Sequence, residues 1–190
     1  MNTPTHLIIS ATLLSERHAA RFNGAVLFGA LVPDISLYVL FFWARFIAGI
    51  PERTLWSQVY WQEPWQTISA VSNSLPLYAS VAVVAYFLGA RLLAIGAISS
   101  IVHLCFDFPF HNTDAHVHFW PFSDWRFHSP ISYWDPRHFG DIVAVVEIVL
   151  AVSCMALLWR RFEGRGVRAV LFLAMASYVA VPVYFSYMLH

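Results

Sequence analysis

The chain alternates long apolar runs with short polar breaks. Thr5 to Leu14 is apolar apart from His6, Ser10 and Thr12. At 1.5 Å per residue it is too short to cross ~30 Å of hydrocarbon as a helix, so it is expected to be re-entrant or packed against its neighbours. After a polar break at Ser15 to Arg21, Asn23 to Ile50 is long enough to span, although Pro33, Asp34 and Arg45 interrupt it. Leu75 to Gly89 and Leu92 to Phe108 flank Ala90 and Arg91 and predict a tight helical hairpin, each arm near the lower limit for spanning. Ile142 to Trp159 and Val167 to Leu189 are the remaining spans. The pattern predicts an all-α fold, a polytopic membrane helical bundle of about four to five spans.

Two segments break this rhythm. Pro51 to Ile68 carries Glu52, Arg53 and Glu63 among Trp56, Trp61 and Trp65. Tryptophan interleaved with charge suits the headgroup region and predicts a segment on a membrane surface. From Pro109 to Gly140 the chain is rich in His, Asp, Trp and Pro, too polar for lipid and too aromatic for a disordered linker. Residues 112–139 are therefore expected to form an ordered extramembrane cap on a single membrane domain covering 1–190.

Composition agrees. The 190 residues are 59% hydrophobic and 12% charged, about half the charge of an ordinary soluble domain. Eleven basic and eleven acidic residues cancel, so no net field favours nucleic acid. Cys105 and Cys154 lie in apolar runs and make no disulfide framework. The start, MNTPTHLIIS, lacks the basic region of a signal peptide, so the N-terminus is expected to be retained. Arg160, Arg161, Arg165 and Arg168 cluster between the last two spans, which predicts a cytoplasmic loop and puts the cap on the exported side.

The sharpest chemical signal is HLCFDFPFH, where His103, Asp107 and His111 recur every four residues. Each such step turns an α-helix by only ~40°, which makes one polar stripe with the spacing of metal ligands. Imidazole and carboxylate suit Zn²⁺ or a similar divalent ion. The bland alternative is a set of hydrogen bonds between neighbouring helices. Pro109 removes a helical hydrogen bond and puts His111 in question. His6 and Asp34 are further ionisable groups in apolar surroundings, which marks them as functional candidates. Counted from the flanking arginines and Gly24, His6, Asp34 and Asp107 lie ~15–25 Å from the cytoplasmic face, at one common depth. In the cap, His116 and His118 either ligate a metal or line the mouth of a pocket.

Three of these stretches, THL, GALVPDIS and HLCFDFPFH, resemble the bacterial inner-membrane metal-dependent hydrolases of the YdjM type, over roughly Met1 to His111. That family is thought to be remotely similar to zinc-dependent phospholipase C and P1-type nucleases. The resemblance implies that His6, Asp34, His103 and Asp107 are metal ligands, with zinc as the expected ion, in a multi-pass protein of the bacterial inner membrane. The chain departs from the family in having Ser36 where a second acidic residue is usual, and Asn73 and Ser74 where a His-Ser pair is usual.

The expected function is a membrane-embedded metal-dependent hydrolase acting on a lipid-like phosphoester. In it Asp34 or Asp107 holds the ion or acts as general base, while His111, His116 or His118 stabilises charge or protonates the leaving group. The alternative is a non-catalytic membrane subunit whose histidines and tryptophans form a cap for a partner protein, pigment or lipid.

Overall fold

The computed structural model describes residues 1–188, and side chains are described for all of these except 177 and 179–188. Helices account for nearly all of its regular structure: α1 (Thr3–Leu14), α2 (Ala20–Phe42), α3 (Glu52–Thr54), α4 (Glu63–Ser72), α5 (Leu75–Phe87), α6 (Arg91–Asp107), α7 (Gly140–Arg161) and α8 (Arg165–Met188). Among the described residues, three stretches are long and apolar enough to cross a membrane: Ala20–Ile47, Arg91–Phe110 and Gly140–Arg161. A fourth exists if α4 and α5, which meet at a bend of 43°, count as one broken span.

Those stretches present Phe28, Phe42, Phe46, Val145 and Val149 to the exterior. An apolar exterior of this kind is stable in hydrocarbon and costly in water.

Helix α1 packs against α2, α6, α7 and α8. It therefore lies inside the bundle, resolving the choice between a re-entrant and a packed segment in favour of packing. Ile8, Ile9 and Ala11 of α1 form a buried cluster with Ala151, Cys154, Met155 and Leu158 of α7. Arg161 closes the end of α1 by donating to the carbonyls of Thr12 and Ser15 at 2.8 and 2.9 Å.

Pro33 does not end α2, which continues through a π-turn at Trp43–Ile47. Its missing N–H leaves the Gly29 carbonyl without its usual helical donor, and the Ser100 hydroxyl of α6 donates to that carbonyl at 2.7 Å. Ser99 does the same for Val26 at 2.6 Å. The two backbones approach closely: a Cβ on Gly29 would lie 2.1 Å from the Gly96 carbonyl oxygen. Small residues permit such a crossing, and hydroxyls hold it where there is no water.

Two sequence boundaries shift. Pro51 to Ile68 is not simply a surface segment, because Leu55, Val59 and Tyr60 bury themselves against Leu40 and Ala44 at the end of α2, and its last residues belong to α4. Leu75 to Gly89 yields a helix of only 13 residues, about 20 Å long and unable to span without α4. The predicted last span falls in α8, with its final residue, Leu189, outside the described residues.

Between α6 and α7 the chain makes a 3-10 turn at Phe108–Phe110, a single antiparallel bridge between Val117 and Arg126, and a second 3-10 turn at Pro136–His138. It is tied to the helices by the Leu75 N–H donating to the His118 carbonyl at 2.9 Å and the Ser74 hydroxyl donating to the Trp120 carbonyl at 2.5 Å. Phe122, Trp125 and Trp134 stay exposed.

Candidate metal centre

The centre is built around Asp107, the last residue of α6, which is buried. One helical turn earlier, His103 places Nε2 at 3.3 Å from Asp107 Oδ2 and 3.6 Å from Asp34 Oδ1. His6, from α1, places Nε2 at 2.9 Å from Asp107 Oδ1. The imidazoles of His6 and His103 stack with centroids 3.6 Å apart and planes inclined by 13°. His6, His103 and Asp107 thus offer three buried donor atoms within 4.8 Å of one another.

The tautomer of His103 follows from its other nitrogen. Nδ1 lies 2.7 Å from the Ala30 carbonyl, and a carbonyl only accepts, so Nδ1 carries the proton. In the neutral ring Nε2 is then a lone pair facing the oxygens of Asp107 and Asp34. It is buried and makes no hydrogen bond. Lone pairs facing each other repel unless a cation sits between them. Ligands on a shared ion at ~2.1 Å stand about 3.4 Å apart in tetrahedral geometry, close to the separations observed here.

Asp34 is the most accessible of the four expected ligands, its side chain 14% exposed. The Thr3 hydroxyl donates to its Oδ2, and Tyr38 donates in turn to Thr3 at 2.8 Å. The Met1 ammonium reaches Asp107 Oδ1 at 2.6 Å. That cation supplies charge to Asp107 and leaves the His103 lone pair unmatched.

His111 reaches the same carboxylate although the helix ends before it. The 3-10 turn containing Pro109 delivers His111 in an extended conformation, with Nε2 at 3.2 Å from Asp107 Oδ1. Its Nδ1 lies 2.9 Å from Asp114 Oδ2, an acceptor that Trp134 Nε1 also engages at 3.0 Å. Burial opposes a charge on this ring, but Asp107 and Asp114 outweigh it and push the His111 pKa up to about 9. His116 is buried beside it, with Nδ1 at 3.4 Å from the Ser69 hydroxyl. Burial first, and then the neighbouring His111, lower its pKa, so this ring is neutral and offers a lone pair. Asp107, His111 and His116 form a second buried group with donor atoms within 4.8 Å of one another.

His118 stands next to this group, its ring centroid 6.0 Å from that of His116, and donates Nδ1–H to the Asn73 carbonyl at 3.1 Å. Burial lowers its pKa as well. The two positions that depart from the family pattern do other work. Ser36 turns back to the Pro33 carbonyl at 3.4 Å, and Asn73 donates to the Ser69 carbonyl at 2.9 Å.

One buried group escaped the sequence reading. Glu147, midway along α7, accepts from the Asn2 N–H at 2.8 Å, the Tyr178 hydroxyl at 2.8 Å and the Thr5 hydroxyl. It pins the first turn of α1, the helix that carries His6. Its signal was the one that marked Asp34, a lone carboxylate inside an apolar run.

Comparison with family models, curated proteins and solved structures finds no match for this chain, so no relative assigns a role to these residues.

Proposed function

We propose that the protein is a membrane-embedded metal-dependent hydrolase that acts on a lipid-like phosphoester. The observation that carries this reading is the convergence on one buried point of Nε2 of His6 and His103 with the carboxylates of Asp107 and Asp34, His103 presenting a lone pair because Ala30 fixes its other nitrogen. Metal-binding histidines characteristically have the second nitrogen anchored to a carbonyl or carboxylate, which fixes the tautomer and aims the ring.

His6, His103 and Asp107 would hold the ion, zinc being the expected one, with Asp34 beside its open position. Two carboxylates and two neutral imidazoles balance a divalent cation in charge. When bound, the ion supplies Lewis acidity and a water whose pKa falls to near 7. The protein supplies the rest. Asp34, exposed on one side, is placed to accept a proton from that water. His111, whose Nε2 lies 3.2 Å from Asp107 and whose pKa is raised, is the proposed donor to the leaving oxygen. The apolar flanks formed by α2 and α6 suit a lipid substrate, with the cap on the exported side.

The test is metal analysis of detergent-purified protein together with hydrolysis of bis(p-nitrophenyl) phosphate and of fluorescent phosphatidylcholine in vesicles. Bound zinc or manganese and phosphodiester cleavage, both lost in His103→Ala, are the expected result. Folded protein that binds no metal and cleaves neither probe would overturn the reading and favour the non-catalytic subunit.

A further inference from the structure

Between α6 and α7 the chain reverses at residues 119–125, and the side chains at that turn are ill suited to water. Phe122 is 82% exposed and Trp125 53%, with Phe119 and Pro121 also on the exterior. We infer that this aromatic turn inserts into the exported leaflet of the membrane and packs against phospholipid acyl chains, so that part of the expected extramembrane cap is embedded beside the helices.

Two separate measures of depth carry it. The positive-inside tendency that puts the Arg160–Arg168 loop in the cytoplasm puts Arg91 there too, because α6 leads from Arg91 to the cap and α7 leads back. From Arg91 the first measure runs along α5, whose 13 residues rise about 20 Å. At its far end the Leu75 N–H donates to the His118 carbonyl at 2.9 Å and the Ser74 hydroxyl donates to the Trp120 carbonyl at 2.5 Å. The second measure runs along α6. Phe108 falls inside the apolar stretch Arg91–Phe110, and its ring stacks on Phe127 at 4.8 Å and meets Trp125 at 6.5 Å. Neither measure uses the composition of the turn, and both place it roughly 20–25 Å from the cytoplasmic face, within the ~30 Å of hydrocarbon.

The backbone is built for that depth. Val117 and Arg126 form a bridge, and the Phe119 carbonyl accepts from the Phe122 and Ser123 N–H groups at 2.9 and 3.1 Å. Arg126 engages the Ala115 carbonyl at 2.6 Å and the Gln66 side chain at 2.9 Å. These polar groups are satisfied inside the protein, as hydrocarbon requires. Asp124 limits the insertion. Its exposed carboxylate belongs among the headgroups, with Phe122 and Trp125 reaching from there toward the acyl chains, a level that aromatic residues favour.

The competing account keeps the turn in water. It would expose these rings to solvent, and it would require α5 alone, about 20 Å long, to cross the hydrocarbon. Insertion also bears on the metal centre, since His116 and His118 of the same segment are buried. The proposed lipid substrate then needs no exit from the bilayer to approach the centre. That consequence rests on the hydrolase reading; the insertion does not.

The experiment places a nitroxide on Phe122→Cys and on Asp124→Cys, in a Cys105→Ala, Cys154→Ala background, in phosphatidylcholine–phosphatidylglycerol vesicles. Collision with oxygen is compared with collision with nickel ethylenediaminediacetate. Val149→Cys, on the exposed face of α7, is the lipid reference, and Gly164→Cys, between α7 and α8, is the water reference. The expected oxygen-to-nickel ratio at Phe122 matches that at Val149 and exceeds that at Gly164 several-fold, with Asp124 between the two. A ratio at Phe122 equal to that at Gly164 would overturn the insertion, and so would low collision with both reagents, which marks a turn covered by protein. A second measurement keeps the native cysteines: in vesicles of acyl-brominated phosphatidylcholine, Trp125→Phe should lower the quenched share of tryptophan emission, and an unchanged share would overturn the proposal. Neither readout depends on metal or turnover. A turn found in water leaves the hydrolase reading standing, and inactive, metal-free protein leaves the insertion standing.

Discussion

Replacing Gly29 by alanine should disturb the metal centre without touching it. Gly29 sits where α2 crosses α6, and a Cβ there would lie 2.1 Å from the Gly96 carbonyl oxygen and 2.7 Å from its carbonyl carbon. Relaxing the closest contact to ~3.4 Å requires the helices to part locally by roughly 1.3 Å. The obstacle is backbone on both sides, so no side chain can rotate out of the way. The bonds spanning the crossing are Ser99 to Val26 at 2.6 Å, Ser100 to Gly29 at 2.7 Å and His103 to Ala30 at 2.7 Å, and a separation of that size breaks or lengthens each of them. Overpacking costs about 1–3 kcal/mol, and interhelical polar bonds in membranes add ~0.6 kcal/mol each. The expected destabilisation is therefore about 3–5 kcal/mol.

The decisive feature is the link to His103. Its tautomer depends on the Ala30 carbonyl one residue from the substitution, so Gly29→Ala should weaken metal binding as well as stability. Gly24→Ala supplies the control: it lies in the same helix, its Cβ would meet nothing within 4 Å, and alanine is the better helix former by up to ~1 kcal/mol. Thermal unfolding in detergent and zinc affinity by competition with a chelator measure the two effects. Equal melting temperatures for Gly29→Ala and Gly24→Ala, with unchanged zinc affinity, would refute both the close crossing and its coupling to the centre.

The other predictions concern single groups. Asp107→Asn should abolish metal binding while the bundle still assembles, because the amide keeps the shape and loses the charge. Leu104→Asn, at a fully buried position beside it, should impair folding with no metal-specific effect, and full metal occupancy in Asp107→Asn would sink the ligand assignment. Glu147→Ala should cost about 1–3 kcal/mol by removing the acceptor shared by the Asn2 N–H and the Thr5 and Tyr178 hydroxyls. It should weaken metal binding only through the position of α1, so bound metal at saturating zinc should match wild type. Finally, a cysteine at Asp124 should react with an impermeant maleimide from the exported side. Labelling from the cytoplasmic side alone would reverse the orientation inferred from the arginine cluster.

Much of the bundle is visible in the sequence because lipid imposes length and apolarity together. The apolar runs from Asn23, Leu92 and Ile142 each correspond to a candidate span. Where other forces act, the pattern misleads. Leu55, Val59 and Tyr60 sit among tryptophans and charges that suggest a surface, yet they are buried because the end of α2 offers them an apolar partner. The burial cost of an isolated charge drew attention to His6, Asp34 and Asp107, and the same rule applied to Glu147 would have found the anchor of α1. Nothing local marks Gly29, Gly96, Ser99 and Ser100. Their importance arises only when two helices are laid across each other.

His111 shows how a correct local argument reaches an incomplete conclusion. Pro109 does remove a helical hydrogen bond, and α6 does stop at Asp107. The stripe expected from four-residue spacing therefore cannot continue as a helix face. The 3-10 turn that replaces it nevertheless returns His111 to the same carboxylate, and Asp114 and Trp134 clamp the far side of its ring. Pro33 acts in a related way on the facing helix. By leaving the Gly29 carbonyl without its helical donor, it creates the acceptor that Ser100 needs, and this bond fixes the crossing one turn from His103. Both prolines lie within two residues of a proposed ligand, and at Pro33 the lost backbone hydrogen bond is replaced by one from Ser100 across the bundle. In hydrocarbon, where no water can take up the freed groups, that exchange forces specific partners together. A PD or DFP sequence inside an apolar run therefore has physical content even without a relative: the proline opens the helix at the depth where the carboxylate needs company.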